Sequence, residues 1–357
     1  MGAHEIDPRR RLLDYVARMA PGTQLREGFE RILRGRTGGL IVLGQNRVIS
    51  HISTGGFPLD VPYTPTALRE LAKMDGAIIV DPVTDRILAA GIQLMPDPAI
   101  DTVETGTRHR TADRVARQSG LPVVSISASM STISLYLDHS RHQVERSEQI
   151  LSRANQALQT FERYRVRLTE VTNRLSSLEV QDQVTVKDLA VLAQRLEMVR
   201  RLDLELSGYV AELGTDGRLL ALQLFELNAG LELLRALIEK DYEPIDPTAS
   251  FSLDGLHGLS EAELLEPLAV ARALGFNHAT HLDTRISARG YRQVAQIKRL
   301  SPQLSARLIE HFGDLQTLFG ATTADLQAVD GVGEGRARVI RDGLVRLAES
   351  AYTERLE

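Results

Sequence analysis

A stretch without glycine or proline constrains the fold of this chain most. Neither residue occurs between Asp138 and Ser207, although both are frequent before Asp138. Because Gly and Pro are the strongest breakers of regular structure, the stretch predicts long helices. Apolar residues recur there at three- and four-residue steps: Leu151, Ala154, Leu158, Phe161, Leu168, Val171, Leu175 and Leu178. Such a face is typical of a coiled-coil seam or of the buried side of an antiparallel bundle.

Two further helical patterns follow, from Val184 to about Val210 and from Leu219 to Ile238. Short breaks near Gln181 and Gly214 would let each helix fold back on its neighbour, which favours a three-helix bundle over an extended coiled coil. We therefore assign residues 141–250 to a central helical domain.

Residues 1–140 predict an α/β domain built on one mixed sheet. Short β-branched runs bounded by Gly, Pro and Asp are typical of strands. These runs are Leu40–Leu43, Ala77–Val80, Ile87–Leu94, Val123–Ser127 and Thr132–Leu137. Helical spacing occurs at Thr66–Met74 and at Arg110–Gln118, and Gly120 with Pro122 ends the second helix.

Composition limits the chemistry that is available. The 357 residues include no Cys, which excludes disulfides and thiolate metal sites. No apolar run approaches the roughly 20 residues that span a bilayer, and Met1–Arg11 lacks the apolar core of a signal peptide, so we expect a cytoplasmic protein without a membrane partner. The net charge of -5 means that any nucleic-acid contact must come from a local basic patch.

Residues 251–357 form a predicted third domain after a polar, proline-bearing linker, Glu243–Ser252. Near its end, Val329–Ala337 reads VDGVGEGRA, in which Gly-apolar-Gly precedes a helix that opens with a basic residue. Glycines permit a tight turn there, and the first N–H groups of the next helix point outward toward an anion.

This segment resembles the helix-hairpin-helix DNA-binding module. The resemblance implies phosphate contacts from the following residues: Gly331, Gly333, Gly335, Arg336 and Arg338. An earlier segment, Leu300–Arg307, resembles a first, degenerate hairpin, and because it lacks Gly-x-Gly we expect it to pack rather than to bind phosphate. A plain helix–helix turn is the alternative for the Gly331 segment.

The loop Gly106–Ala112, with the sequence GTRHRTA, opens the helix that follows the third predicted strand. Hydroxyls, a guanidinium, an imidazole and backbone donors at a helix N-terminus suit a triphosphate. Asp75, at a strand edge, offers a hard oxygen ligand for Mg²⁺ or Mn²⁺, and Gly76 would let a backbone approach a nucleotide. Taken singly, each element also fits an ordinary turn, a solvated basic cluster or a helix cap.

Asp75-Gly76-Ala77 and Gly106–Ala112, together with Gly55–Asp60, resemble the signatures of the diadenylate cyclase family in order and spacing. With the helical middle and the C-terminal hairpin, the whole chain resembles the bacterial DNA integrity scanning family. One departure is Ala128, where some members of the wider family carry an acidic residue.

The resemblance implies that two copies face each other and join two ATP molecules into cyclic di-AMP and two pyrophosphates. Asp75, Arg108 and His109 would be catalytic, with Asp75 holding the metal. The residues expected to bind ATP are Gly76, Leu94, Thr107, Arg108, His109, Thr111 and Ser127. The family further implies an octamer, branched or Holliday-junction DNA as a partner, a place at the nucleoid, and a role in DNA damage and repair.

Two other functions compete with this one. A DNA-binding protein that only senses a nucleotide would bind ATP without turnover. A branched-DNA nuclease would need clustered acidic residues of the two-metal kind, which we do not find in the sequence.

Overall fold

The computed structural model describes residues 8–242, 251–277, 279–298 and 300–353. Two compact units divide the chain: the first comprises Met1–Gln156 with Leu206–Gln223, and the second Ala157–Glu205 with Leu224–Glu357. This division does not follow sequence order, so the domain boundaries predicted after residues 140 and 250 remain predictions. Most of the predicted linker, at residues 243–250, lies outside the described residues.

The N-terminal part of the first unit alternates helices with eight strands. The helices are α1 Pro8–Arg18, α2 Gln24–Arg34, α3 Arg47–Ile52, α4 Pro65–Leu71 and α5 Thr107–Ser119. The strands are β1 Gly39–Leu43, β2 Ser53–Thr54, β3 Phe57–Pro62, β4 Ala77–Asp81, β5 Arg86–Leu94, β6 Val123–Ser127, β7 Thr132–Leu137 and β8 Ser140–Val144.

The eight strands form one mixed sheet in the order β2-β5-β4-β1-β6-β7-β8, with β3 also paired to β5. Strands β1 and β4 run parallel, and the other pairs are antiparallel. Apolar side chains are buried on both faces: Phe29 and Leu68 pack with one, and Ile49 and Val115 with the other. Because helices cover both faces, the central strands are continuous apolar runs, which explains why all five strands predicted from the sequence are confirmed.

Three strands were not predicted. Strand β3 contains Pro58 and Pro62 and, among the described strands, pairs only with β5, as expected for an edge strand, where a missing N–H is tolerated. The short β2 pairs with the end of β5. Strand β8 lies inside the stretch that we predicted to be helical, so that prediction is wrong there. Asp138 adopts a left-handed φ of 53°, which lets the chain turn from β7 into the antiparallel β8 without a glycine.

Long helices follow, as the missing Gly and Pro predicted. They are α6 Ser147–Val180, α7 Val186–Leu213, a 3-10 turn Gly214–Gly217, α8 Arg218–Asn228 and α9 Leu231–Tyr242. The breaks near Gln181 and Gly214 are confirmed, but the single helix predicted for Leu219–Ile238 is two helices, because Gly230 interrupts it with a φ of 77°. The packing of these helices as one bundle remains a prediction.

The C-terminal part of the second unit contains short helices and one long one. They are a 3-10 turn Leu253–Gly258, α10 Glu261–Leu264, α11 Pro267–Ala273, α12 Tyr291–Val294, α13 Pro302–Phe312, α14 Leu315–Gly320, α15 Thr323–Gln327 and α16 Glu334–Thr353. Helices α12 to α16 share a core that includes Leu308, Val332 and Ile340. None of the helices in the described ranges is both long and apolar enough to cross a membrane.

Candidate functional site

The strand register brings several predicted site residues to one end of the sheet. Ala77 of β4 pairs with Ile92 of β5, and Gly39 of β1 pairs with Ile126 of β6. Since β5 and β6 run antiparallel to β4 and β1, the ends of β5 and β6 lie beside the beginnings of β4 and β1. The residues at this end are Asp75 before β4, Leu94 ending β5 and Ser127 ending β6.

Arg108 ties the N-terminus of α5 to the same end of the sheet. Its Nη1 donates a hydrogen bond to the carbonyl oxygen of Ile126, at 3.3 Å. The side chain runs over Gly38, where a Cβ atom would lie 2.5 Å from that Nη1 and where φ is 72°. Gly38 was not among the predicted site residues, because only the folded chain shows that this glycine makes room for Arg108.

The first turn of α5 is basic and has no side-chain cap. Its N-cap is Gly106, which offers no side-chain cap, and the turn contains no acidic residue although it carries Arg108, His109 and Arg110. Positive side chains at the positive end of a helix dipole are unfavourable unless an anion compensates them. Thr111 donates its hydroxyl hydrogen to the backbone carbonyl oxygen of Thr107, at 3.0 Å, which fixes the Thr111 side chain against the helix.

His109 and Ser127 lie deeper than the arginines. His109 is 6% exposed, and its Nδ1 lies 2.8 Å from the hydroxyl oxygen of Tyr136 on β7. Burial lowers the pKa of His109, and the nearby Arg141 guanidinium lowers it further. Ser127 is 7% exposed, with its Oγ 3.3 Å from that of Ser129 in the turn after β6. The roles of both residues remain predictions.

Asp75 lies exposed in the bend between α4 and β4, and its carboxylate makes no hydrogen bond or ion pair with the described residues. No cluster of three or more acidic and histidine side chains that could bind a metal occurs in the described part of the chain. Mg²⁺ commonly uses one or two carboxylates, completed by water and substrate phosphates, so the exposed Asp75 carboxylate at this end of the sheet fits such an ion.

Gly76 has a structural task of its own. Its φ is 105°, and a Cβ atom there would lie 2.6 Å from the carbonyl carbon of Gly91 on β5. The chain just before β4 can therefore approach β5 this closely only with glycine at position 76. Any contact between Gly76 and a nucleotide remains a prediction.

We expect Gly76→Val to damage the site locally. The added side chain would clash with the backbone of β5 and would strain the left-handed φ, at a cost of about 2 kcal/mol or more. Denaturant unfolding of the purified variant measures this loss, and Gly55→Val is the matched control, because a Cβ at Gly55 meets no atom within 4 Å although its φ is also positive, at 66°. Equal losses in both variants would show that φ strain, and not the contact with Gly91, sets the requirement.

A second group of predicted residues lies between α15 and α16. Gly331 has a φ of 85°, and its carbonyl oxygen accepts a hydrogen bond from Nη1 of Arg336 at 2.8 Å. Arg307 of α13 reaches the same turn, with its Nη1 2.9 Å from the carboxylate of Asp330. Arg338 pairs with Glu334 on α16. The turn thus gathers two guanidinium groups around Gly331, and Arg307 was not among the predicted residues.

Comparisons with known proteins cover almost the whole chain. Residues 26–141 match the family described as DisA bacterial checkpoint controller nucleotide-binding, and residues 144–282 match the DisA bacterial checkpoint controller linker region. The DNA integrity scanning protein DisA of Streptomyces coelicolor is 57% identical over 95% of this chain and 92% of its own length. The protein of the same name from Acidothermus cellulolyticus is 55% identical over 97% and 95%.

A solved structure, that of DacA from Staphylococcus aureus, aligns at 22% identity over 39% of this chain and 90% of that one, with a TM-score of 0.29. The nucleotide-binding match and the relatives that cover almost the whole chain define an enzyme of the diadenylate cyclase class. The chain belongs to the DNA integrity scanning (DisA) family.

Proposed function

We propose that this enzyme condenses two ATP molecules into cyclic di-AMP, with release of two pyrophosphates, at the end of the mixed sheet. The observation that carries the proposal is the placement of an uncapped, basic helix N-terminus and a free carboxylate at the same sheet end. Neighbouring strands are about 5 Å apart, so the beginning of β4 and the end of β6, two strands away, are about 10 Å apart, a span that one nucleotide triphosphate can bridge.

The residues of the α5 turn would hold the triphosphate. Backbone N–H groups at the helix N-terminus and the Arg108 guanidinium donate to phosphate oxygens, and Thr107, His109 and Thr111 lie on the same turn. Ser127, at the end of β6, would add a hydroxyl, while Leu94 and Gly76 would pack against the nucleoside. Each of these contacts orients the α-phosphate for attack.

Asp75 would hold Mg²⁺ or Mn²⁺ and accept a hydrogen bond from the attacking 3′-hydroxyl. When bound, the ion neutralises phosphate charge and makes a nearby hydroxyl easier to deprotonate. With Ala128 where some relatives carry an acid, Asp75 remains the one predicted carboxylate ligand, and water with phosphate oxygens would complete the coordination.

Two chains are needed for the complete reaction. The 3′-oxygen of one ATP forms a bond to the α-phosphorus of the other, the bond to pyrophosphate breaks, and the hydroxyl proton is lost to solvent or base. Repetition in the opposite sense closes the ring. Since the described sheet end contains one such anion-binding turn, the second nucleotide would come on a facing copy, and the family resemblance extends this pair to an octamer.

Product analysis tests the proposed reaction. Full-length protein is incubated with ATP and Mn²⁺ or Mg²⁺, and the products are separated by chromatography. We expect one cyclic di-AMP and two pyrophosphates for every two ATP consumed. ATP that is bound but not consumed would instead indicate a nucleotide sensor, and release of ADP and phosphate would indicate a hydrolase; either result contradicts the proposal.

We also propose that the turn between α15 and α16 is a helix-hairpin-helix module that binds the phosphates of branched DNA and modulates the cyclase, which would place the protein at the nucleoid. Gly331 shapes the turn through its left-handed φ, whereas a Cβ at Gly333 or Gly335 would meet no atom of the described chain within 4 Å. That open space is where a DNA phosphate could approach the backbone N–H groups and Arg336.

Gly335→Leu is expected to weaken binding to a four-way junction strongly while sparing the basal rate of cyclic di-AMP formation. The new side chain has room in the free protein and would occupy the space that the phosphate needs. Fluorescence anisotropy with labelled junction DNA measures the change, which we expect to exceed about tenfold in Kd. Gly320→Leu is the matched control, since it also has open space around it but lies at the end of α14. Unchanged binding of Gly335→Leu would place the DNA contact elsewhere.

A further inference from the structure

His109 and Tyr136 form a buried pair beneath the first turn of α5. Tyr136 is 1% exposed and belongs to the core between the sheet and α5. Its hydroxyl oxygen lies 2.8 Å from Nδ1 of His109. The other ring nitrogen, Nε2, makes no hydrogen bond with any described residue. One nitrogen of the imidazole is therefore bound to the protein, and the other remains for a ligand.

Arg141 and Glu104 surround this pair with fixed charges. Nη1 of Arg141, on β8, donates to both carboxylate oxygens of Glu104, at 3.0 and 3.4 Å. The guanidinium lies 5.9 Å from the centroid of the Tyr136 ring, and its Nη2 donates to the hydroxyl of Ser134 at 3.2 Å. Since Glu104 belongs to the segment that precedes α5, this contact attaches that segment to the sheet.

The charges around His109 favour its neutral form. Burial lowers the pKa of the imidazole, and Arg141 from β8 and Arg108 from α5 lower it further, against an opposing effect of Glu104. Burial likewise raises the pKa of the Tyr136 hydroxyl, so the phenol keeps its hydrogen near neutral pH. A neutral imidazole has one N–H and one nitrogen lone pair, and its neighbours decide which nitrogen carries the hydrogen.

The direction of the hydrogen bond follows from these groups. A buried phenol hydrogen needs an acceptor, and two groups face it: Nδ1 of His109 and the Glu104 carboxylate, which lies close enough to raise the pKa of Tyr136. Among the described residues, the hydroxyl makes a hydrogen bond of ordinary length only with Nδ1, at 2.8 Å, whereas the Glu104 carboxylate accepts from Arg141. This geometry favours donation from the phenol to the lone pair of Nδ1. The imidazole hydrogen is then left on Nε2.

We propose that Tyr136 is a positioning residue of the cyclase site, because its hydroxyl fixes the His109 tautomer in which Nε2–H is free to donate to a phosphate oxygen of ATP. The inference rests on the proposed function and specifies how His109 would contact ATP, as a neutral hydrogen-bond donor. A neutral donor stabilises charge that develops on a phosphate oxygen without placing a second cation beside Arg108 and the metal.

Nitrogen NMR tests the tautomer without any turnover. The full-length protein is labelled with ¹⁵N-histidine, and the His109 signals are assigned among the nine histidines by their loss in His109→Gln. We expect a protonated Nε2 and an unprotonated Nδ1 near pH 7. A protonated Nδ1 would show that His109 donates to Tyr136 and would overturn the proposal.

Tyr136→Phe links the tautomer to the reaction. Removing the hydroxyl should mix the two tautomers and lower kcat by about ten- to a hundredfold, with a smaller change in KM, because the lost donor acts on charge that develops during the reaction. The matched control is Tyr63→Phe, which removes another buried phenol hydroxyl of the same unit, one that donates to the carbonyl oxygen of Gln24. We expect this control to leave the His109 signals and kcat unchanged.

Three results would overturn the proposal. Tyr136→Phe could leave the His109 signals and kcat unchanged, or Tyr63→Phe could lower kcat to the same extent, which would indicate a general loss of stability. A second pair of variants leaves Tyr136 intact. His109→Gln, whose amide nitrogen can replace Nε2–H, should retain at least about tenfold more activity than His109→Asn. The reverse order of activities would also contradict the proposal. Absence of cyclic di-AMP in the wild type would count against the proposed function alone, because the tautomer can still be measured.

Discussion

Asp75→Asn is expected to lower the rate of cyclic di-AMP formation by about a thousandfold or more, because a metal ion and its carboxylate ligand contribute several kcal/mol to transition-state stabilisation. The substitution replaces one carboxylate oxygen with an amide nitrogen, on an exposed side chain that has no hydrogen-bond or ion-pair partner among the described residues. We therefore expect the fold and its thermal stability to be preserved. Initial rates measured by product chromatography provide the comparison.

Asp14→Asn is the matched control for this substitution. Asp14 is exposed on α1 and is likewise free of hydrogen bonds and ion pairs with the described residues, but it lies outside the sheet end that carries the proposed site. Its rate should remain within about twofold of the wild type, as expected for a surface change of this size. A wild-type rate for Asp75→Asn would show that Asp75 is not a required metal ligand and would contradict the proposed mechanism.

The second large effect is expected in the second unit, for Arg292→Met. Arg292 is 4% exposed and donates through Nη2 to the buried carboxylate of Glu179 at 2.5 Å and through Nη1 to Ser176 at 2.6 Å. Glu179 also accepts hydrogen bonds from Tyr242 and from the amide of Gln293, both at 2.8 Å. Removing the guanidinium would leave a buried carboxylate without its charge partner, at a cost of about 3–5 kcal/mol.

Hydrogen exchange of the full-length protein locates this loss, because a large protein need not unfold in one step. Protection should fall in α9 and α12, which carry Tyr242 and Arg292, and should be unchanged in the mixed sheet. Arg174→Met is the control, since Arg174 is exposed on α6 and forms no ion pair among the described residues. Exchange equal to that of the wild type would mean that apolar packing alone holds these helices together.

The sequence predicted the parts of the fold that depend on continuous local patterns. Central strands such as Val123–Ser127 and Thr132–Leu137 have the predicted bounds, because helices bury both faces of the sheet. The hairpin of β7 and β8 was hidden, since its turn uses Asp138 in a left-handed conformation where a glycine would have given a signal. Absence of Gly and Pro therefore did not mean helix throughout.

The candidate site was predictable only where its residues form a contiguous motif. Asp75 and the Gly106–Ala112 turn stand out in the sequence, whereas Tyr136 looks like any apolar position of a buried strand. Its contact with His109 joins residues 27 positions apart and exists only once β7 has packed against α5. Gly38 is hidden for the same reason, because the side chain that it accommodates comes from Arg108.

The C-terminal glycines show a similar limit. The sequence suggested one shared role for Gly331, Gly333 and Gly335. In the folded chain, Gly331 has a left-handed φ that explains its glycine, whereas the other two have open space around them. The turn itself thus requires glycine at position 331, whereas positions 333 and 335 are proposed to require glycine only for DNA contact. Gly335→Leu can therefore report on DNA contact without unfolding the turn.

The most direct test of the proposed reaction compares ATP with 3′-deoxy-ATP as the sole nucleotide, with full-length protein, Mn²⁺ and product analysis by chromatography and mass spectrometry. If the 3′-hydroxyl of each bound nucleotide attacks the α-phosphate of the other, ATP yields cyclic di-AMP and pyrophosphate, and 3′-deoxy-ATP yields neither. Pyrophosphate released from 3′-deoxy-ATP at the same rate, or ATP consumed without a cyclic dinucleotide, would contradict the account.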